Sequence, residues 1–180
     1  MMKKYLLNII CCFICISAFS QTSNLKFHNG KFKIVQITDL HWVESESYKL
    51  KNDSTCNLIR EAIKLERPDL VILTGDVVVS WNAKKGWEKL AKLFEEEKTP
   101  FAVTFGNHDE ETDMNNAQIL DYLRTFPYNL TYDASKGISG SGNCTLPIMA
   151  SDGLSQKWVL YLFDSHNSTK NRSFGYYDWI

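Results

Sequence analysis

Residues 70–76 read Leu-Val-Ile-Leu-Thr-Gly-Asp, and this stretch decides the fold class. A continuous apolar run of this kind fits a strand buried on both faces, as strands are in parallel sheets covered by helices. Residues 32–37 (Phe-Lys-Ile-Val-Gln-Ile) and 101–105 (Phe-Ala-Val-Thr-Phe) are similarly rich in strand-forming residues. The sequence therefore predicts three core strands.

Helical patterns separate the three strands. Apolar residues recur at helical spacing from Ser54-Thr55, which resembles a helix start, as far as Pro68. The same spacing predicts a helix from Ala83 to Glu97, and a third helix is expected over residues 115–125. Strands that alternate with helices indicate a mostly parallel sheet with helical crossovers, which places the chain in the α/β class.

Shorter segments complete the predicted secondary structure. Asn29-Gly30 lies between two strand-like runs and predicts a hairpin turn. Residues 132–142 are rich in glycine and serine and predict a loop. Residues 144–149 and 158–163 predict two further strands, the second with the stronger pattern.

The first twenty residues have the character of a signal peptide. Lys3 and Lys4 precede an almost wholly apolar run over residues 5–16, and Ala18-Phe19-Ser20 offers small residues for cleavage. The run is short for a membrane span, so a retained anchor is the weaker alternative. We expect cleavage near Ser20, one domain over residues 21–180, a secreted or periplasmic protein, and no stable membrane insertion after cleavage.

The composition narrows the classes of function. The chain of 180 residues has 20 Lys+Arg against 21 Asp+Glu, a net charge of -1. A nucleic-acid-binding protein needs a basic excess on one face, so no nucleic-acid partner is expected. After removal of the signal peptide two cysteines remain, Cys56 and Cys144. The sequence is compatible with a disulfide between them and with two free thiols.

Polar clusters follow the ends of the predicted strands. They are Asp39-Leu40-His41, Gly75-Asp76, Gly106-Asn107-His108-Asp109 and Asp164-Ser165-His166. Because ligands bind at the carboxyl ends of the strands in open α/β sheets, we expect these residues to converge there.

Carboxylates, imidazoles and an amide oxygen suit transition-metal ions. Asp39 and His41 can bind one ion, Asp76 can bridge two ions through its two oxygens, and Asn107 offers a neutral oxygen to the second. Two ions roughly 3.5–4 Å apart can bind a phosphoryl oxygen and activate a metal-bound hydroxide for in-line attack. The sequence therefore predicts two divalent or trivalent ions, with iron, manganese and zinc all compatible.

The two residues after Asn107 are the candidate catalytic pair. His108 can stabilise phosphoryl oxygens or protonate the leaving alkoxide, a role that contributes roughly 10²–10⁴-fold. Asp109 is expected to hold the His108 imidazole in one tautomer. A role for His166, at the substrate edge or as a plain loop residue, stays open.

These motifs resemble the first three motifs of the calcineurin-like metallophosphoesterases. Their flanking sequence, from Lys31 onward, is similar to the small purple-acid-phosphatase-like branch, including residues 67–71, 141–143, 160–165 and 176–180. The resemblance implies an αββα sandwich of two sheets with helices outside. It also implies hydrolysis of phosphate esters, with monoesters favoured over diesters as substrates.

The sequence departs from the family pattern in two places. Val79 stands where the iron-binding purple acid phosphatases have a tyrosine ligand, so no tyrosinate-to-iron colour is expected. The later histidines of the family, one alone and one Gly-His-x-His segment, do not occur among the four histidines of this chain. We therefore expect an amino-terminal part of such an enzyme, and the alternative is a truncated, catalytically inactive fragment. A nucleotide-binding module is disfavoured because Gly-x-Gly-x-x-Gly is missing after the first strand.

Overall fold

Strand β2 (Leu70–Thr74) lies at the centre of a parallel sheet, between β1 (Ile34–Ile37) and β3 (Phe101–Thr104). A computed structural model describes residues 25–134 and 137–167. The predicted signal peptide and its cleavage point near Ser20 lie outside the described residues. The three core strands are confirmed, with β1 beginning two residues later than predicted.

The register of the sheet brings the ends of the three strands to one level. Ile37 of β1 pairs with Leu73, and Thr74 of β2 pairs with Thr104 of β3. Since all three strands run in the same direction, the loops that follow them leave from the same edge of the sheet. This edge carries the polar residues singled out from the sequence.

Three helices cover one face of the parallel sheet: α1 (Lys49–Glu66), α2 (Ala83–Glu96) and α3 (Asn116–Leu123). Helix α2 buries Trp87 and Phe94, and the Phe94 ring stacks on Phe101 of β3 with 4.7 Å between ring centroids. No helix within residues 25–134 and 137–167 is long and apolar enough to cross a membrane.

Helix α1 begins earlier than the sequence predicted. It starts at Lys49, so Ser54 and Thr55 lie inside the helix and do not cap it. Their hydroxyls donate to the carbonyls of Leu50 and Lys51, four residues back, at 2.9 and 3.0 Å. Back-bonding of this kind lets Ser and Thr sit within a helix, and sequence alone does not separate it from a cap.

Strands β4 (Cys144–Met149) and β5 (Gln156–Leu162) form a second, antiparallel sheet. Its inner face, with Leu146 and Leu162, packs in one cluster with Leu70 and Ala102 on the open face of the parallel sheet. The described layers are therefore helices, parallel sheet and second sheet. The predicted α/β class is confirmed, and the mostly parallel arrangement holds for the first sheet only.

Two smaller predictions have clear outcomes. His28 and Lys31 exchange backbone hydrogen bonds of 2.8 and 3.0 Å around Asn29-Gly30, which confirms the tight turn. Cys56 and Cys144 are both free thiols. Cys56 packs against the helical layer and Cys144 lies between the two sheets, so each contributes to a different core.

Candidate metal centre

The loop after β1 stays attached to the loop after β2 through its backbone. The N–H of Asp39 donates to the carbonyl of Gly75 at 3.1 Å, and the N–H of His41 donates to the carbonyl of Asp76 at 3.0 Å. Asp39, His41 and Asp76 all have left-handed backbones, with φ of 55°, 46° and 52°. Non-glycine residues rarely adopt this conformation, and such residues cluster at functional sites.

This backbone arrangement brings three predicted ligands together. Nε2 of His41 lies 3.8 Å from Oδ1 of Asp39 and 3.9 Å from Oδ2 of Asp76. One ligand atom from each of the three side chains lies within 4.8 Å of the other two. Two carboxylates and one imidazole are a donor set that fits a transition-metal ion, so the residues present fit the predicted metal.

Asn107, the fourth predicted ligand, lines the same place. It shares an open pocket of about 330 Å³ with Asp39 and Asp76 at the carboxyl edge of the parallel sheet. The other oxygen of Asp76, Oδ1, accepts a hydrogen bond of 2.9 Å from the backbone N–H of His108. This bond holds the Asn107 loop against the Asp76 carboxylate.

Two glycines allow these loops to approach so closely. A Cβ atom on Gly106 would lie 2.4 Å from Oδ1 of Asp76, and one on Gly75 would lie 2.8 Å from Cα of Gly106. Gly75 also has a φ of +87°. A side chain at either position would push the Asp76 and Asn107 loops apart.

Asp109 is fully buried and is the anchor of the site. Its carboxylate accepts hydrogen bonds from the backbone N–H groups of Gly106 at 2.8 Å and of Asp76 and Val77 at 2.9 Å. Burial raises the pKa of the Asp109 carboxyl, and these N–H groups oppose that effect by stabilising the charged form. Asp109 therefore joins the loops that follow β2 and β3.

The expected pairing of Asp109 with the His108 imidazole is wrong. Nδ1 of His108 lies 2.7 Å from a carboxylate oxygen of Glu111 instead. This hydrogen bond raises the pKa of His108. Glu111 was not predicted from the sequence. The signal for it was the spacing, because side chains three residues apart can meet when the backbone makes a helical turn. The centroids of the His41 and His108 rings lie 5.8 Å apart, so His108 borders the cluster formed by Asp39, His41 and Asp76.

The last predicted cluster also reaches the pocket. His166 and Ser165, which follow β5, line it together with Phe163. His28 lies away from the pocket, near the amino ends of β1 and β2. Its Nε2 atom lies 3.7 Å from Oδ1 of Asp69. Three of the four histidines in the chain therefore surround the same edge of the parallel sheet.

Residues 32–179 match the family model described as calcineurin-like phosphoesterase. The chain belongs to this family. Phosphoesterases of this family bind divalent metals, and the group formed by Asp39, His41 and Asp76 gives this member a place for such an ion.

Three relatives show how much of a longer protein the chain resembles. "Probable inactive purple acid phosphatase 29" of Arabidopsis thaliana is 29% identical, over 94% of this chain and 49% of that protein. "Probable inactive purple acid phosphatase 14" of the same plant is 31% identical, over 92% and 48%. "Phosphatase DCR2" of Saccharomyces cerevisiae is 29% identical, over 84% and 30%. The chain thus spans half or less of the length of these relatives.

Proposed function

We propose that this protein is a metal-dependent phosphoesterase with a dinuclear centre, acting on phosphate monoesters in preference to diesters. The observation that carries the proposal is the convergence of Asp39, His41 and Asp76, whose ligand atoms lie within 4.8 Å of one another. Asn107, across the same pocket, supports a place for a second ion.

Each side chain has a proposed part in binding. Asp39 and His41 would hold one ion, Asp76 would contribute to both, and Asn107 would hold the other through its amide oxygen. When bound, such a pair of ions polarises a phosphoryl oxygen and lowers the pKa of a water molecule. Iron, manganese and zinc all suit this donor set.

His108 and its neighbours serve the proton transfer. The His108 imidazole is half-exposed and its ring lies 5.8 Å from that of His41, which supports a role in protonating the oxygen of the leaving alcohol. Glu111 supports the protonated imidazole through the 2.7 Å contact with Nδ1. Asp109 does not touch the imidazole; it keeps the Asn107 loop and the Asp76 loop in register.

Removal and return of metal test this proposal. Full-length protein, dialysed against a chelator and verified as metal-free, is assayed with an aryl phosphate monoester and with the matching diester. We expect turnover to be lost, to return with iron, manganese or zinc, and to be faster on the monoester. Undiminished turnover by the metal-free protein would contradict the metal-dependent reaction.

A second candidate is a catalytically inactive member of the family that still binds metal. Two of the relatives are named probable inactive phosphatases, and this chain offers four candidate ligands for two ions. The same assay separates the candidates. Metal bound in stoichiometric amount without turnover of either ester would favour the inactive protein.

We also propose that the protein is secreted or periplasmic, on the basis of the signal-like residues 1–20. Amino-terminal sequencing of protein recovered outside the cytoplasm should begin at or near Gln21. An intact Met1 on the recovered protein would contradict cleavage.

A further inference from the structure

We propose that His166 binds the phosphoryl group in the metal pocket. The inference rests on the proposed phosphoesterase function and adds a substrate-binding residue to it. His166 lines the same pocket as Asp39, Asp76 and Asn107, yet it follows β5 of the second sheet. The pocket is thus lined from both sheets, and His166 is the imidazole that the second sheet contributes.

The backbone of His166 is fixed by a buried carboxylate. Asp164, only 3% exposed, accepts a hydrogen bond of 2.8 Å from the N–H of His166 through Oδ1. Its Oδ2 accepts from the N–H of Ser141 at 2.8 Å and from the side-chain amide of Asn116 at 3.4 Å. The N–H of Asp164 in turn donates to the side chain of Asn143 at 2.9 Å. A buried network therefore determines where the chain turns after β5.

The turn itself is strained at His166, which has a φ of +64°. Such a conformation is unfavourable for a residue other than glycine and persists where its surroundings impose it. Gly140 packs so tightly on Asp164 that a Cβ atom there would lie 2.9 Å from Cβ of Asp164. The surroundings thus hold His166 at the pocket against its own backbone preference.

The same turn is tied to the loop that carries Asn107 and His108. The side-chain amide of Asn167 donates to Oε2 of Glu110 at 3.1 Å. This contact joins the segment after β5 to the segment after β3. His166 and Asn107 are therefore positioned by connected elements of the two sheets.

The charge of the pocket indicates what His166 meets there. Asp39 and Asp76 supply negative charge, and no lysine or arginine is among the described residues that line the pocket. In the metal-loaded pocket the ions would supply positive charge to a phosphate dianion, and the imidazole adds a side-chain N–H donor that no lysine or arginine of the lining supplies. His166 is not in the group of ligand atoms within 4.8 Å formed by Asp39, His41 and Asp76. On this ground the proposal assigns His166 to the phosphoryl oxygens and not to the ion of that group.

Binding of inorganic phosphate to the metal-loaded, full-length protein tests this role. His166→Gly suits the left-handed backbone and removes the imidazole, and His166→Asn, which also tolerates this conformation, is the second variant. We expect calorimetric titration to show a loss of phosphate affinity of roughly 10–100-fold, the effect of one hydrogen bond to a charged group. Metal content should stay at the wild-type level, and His28→Ala, at a histidine outside the pocket, should bind phosphate normally.

Several results would overturn the inference. These are unchanged phosphate affinity in both His166 variants, loss of metal from variants with a wild-type circular dichroism spectrum, and no phosphate binding by the metal-loaded wild type. A wild type that binds phosphate through His166 but hydrolyses no ester would reject the proposed reaction and keep the phosphate-binding residue. The phosphate titration therefore tests His166, and the ester assay independently tests the proposed reaction.

Discussion

The carboxylate of Asp109 accepts a hydrogen bond of 2.9 Å from the backbone N–H of Asp76, although 33 residues separate them in the chain. The same Oδ2 atom accepts from the N–H of Gly106 at 2.8 Å. One buried carboxylate therefore sets the distance between the loop of the central metal ligand and the loop of Asn107. The geometry of the site therefore depends on a buried side chain that is not among the residues lining the pocket.

Replacement of Asp109 by asparagine should lower the free energy of unfolding by roughly 1–3 kcal/mol, because an amide NH₂ would face backbone N–H groups that now donate to the carboxylate. Chemical denaturation in the presence of chelator measures this loss without any contribution from metal. Asp121→Asn, on the exposed surface of α3, is the matched control and should change stability by no more than about 0.5 kcal/mol. Equal stability of the two variants would show that Asp109 is not an anchor.

Asp76→Asn should reduce metal affinity by more than the roughly 10–100-fold typical of substitutions outside the ligand sphere. The asparagine oxygen can still accept the N–H of His108, but an NH₂ group would replace the oxygen that faces His41. Equilibrium dialysis followed by elemental analysis gives the metal bound per chain. Asp53→Asn, at an exposed acid of α1, should retain the wild-type metal content. Full metal occupancy in Asp76→Asn would show that Asp76 is not a metal ligand.

The convergence of Asp39, His41, Asp76 and Asn107 at one edge of the sheet could be predicted, because parallel strands in register deliver the residues that follow them to the same edge. The partner of His108 could not, because Asp109 and Glu111 are both close in sequence and only the backbone turn after Asn107 decides between them. The start of α1 was missed for a related reason. The Ser54 hydroxyl can accept from a backbone N–H at a helix start or donate to a backbone carbonyl inside a helix, and the structure shows the second case.

Glu111→Ala should lower kcat by about 10-fold or more and leave KM nearly unchanged, because Glu111 contacts the His108 imidazole and does not line the metal pocket. His108→Ala should lower kcat further, by roughly 10²–10⁴-fold. In the double variant, loss of Glu111 should cost little beyond the loss of His108, since Glu111 acts through the imidazole. Steady-state kinetics on an aryl phosphate, with the exposed Glu61→Ala as control, measures these effects. Independent, multiplicative losses would mean that Glu111 has a separate role.

Strand β5 should make this chain self-associate in solution. Among the described residues, β5 pairs with β4 alone, so its outer edge presents unpaired N–H and C=O groups. Tyr161 is 65% exposed and its ring stacks on that of Phe163, 46% exposed, which adds an apolar surface beside this edge. Exposed edges of this kind pair with other chains, and a lysine on the strand opposes that pairing through charge repulsion. Tyr161→Lys should therefore shift the sedimentation profile toward monomer at concentrations where the wild type associates. Trp81→Lys changes an aromatic residue outside the strands that is 74% exposed, more than Tyr161, and should not shift the profile. A monomeric wild type, or equal shifts in both variants, would show that the β5 edge does not drive association.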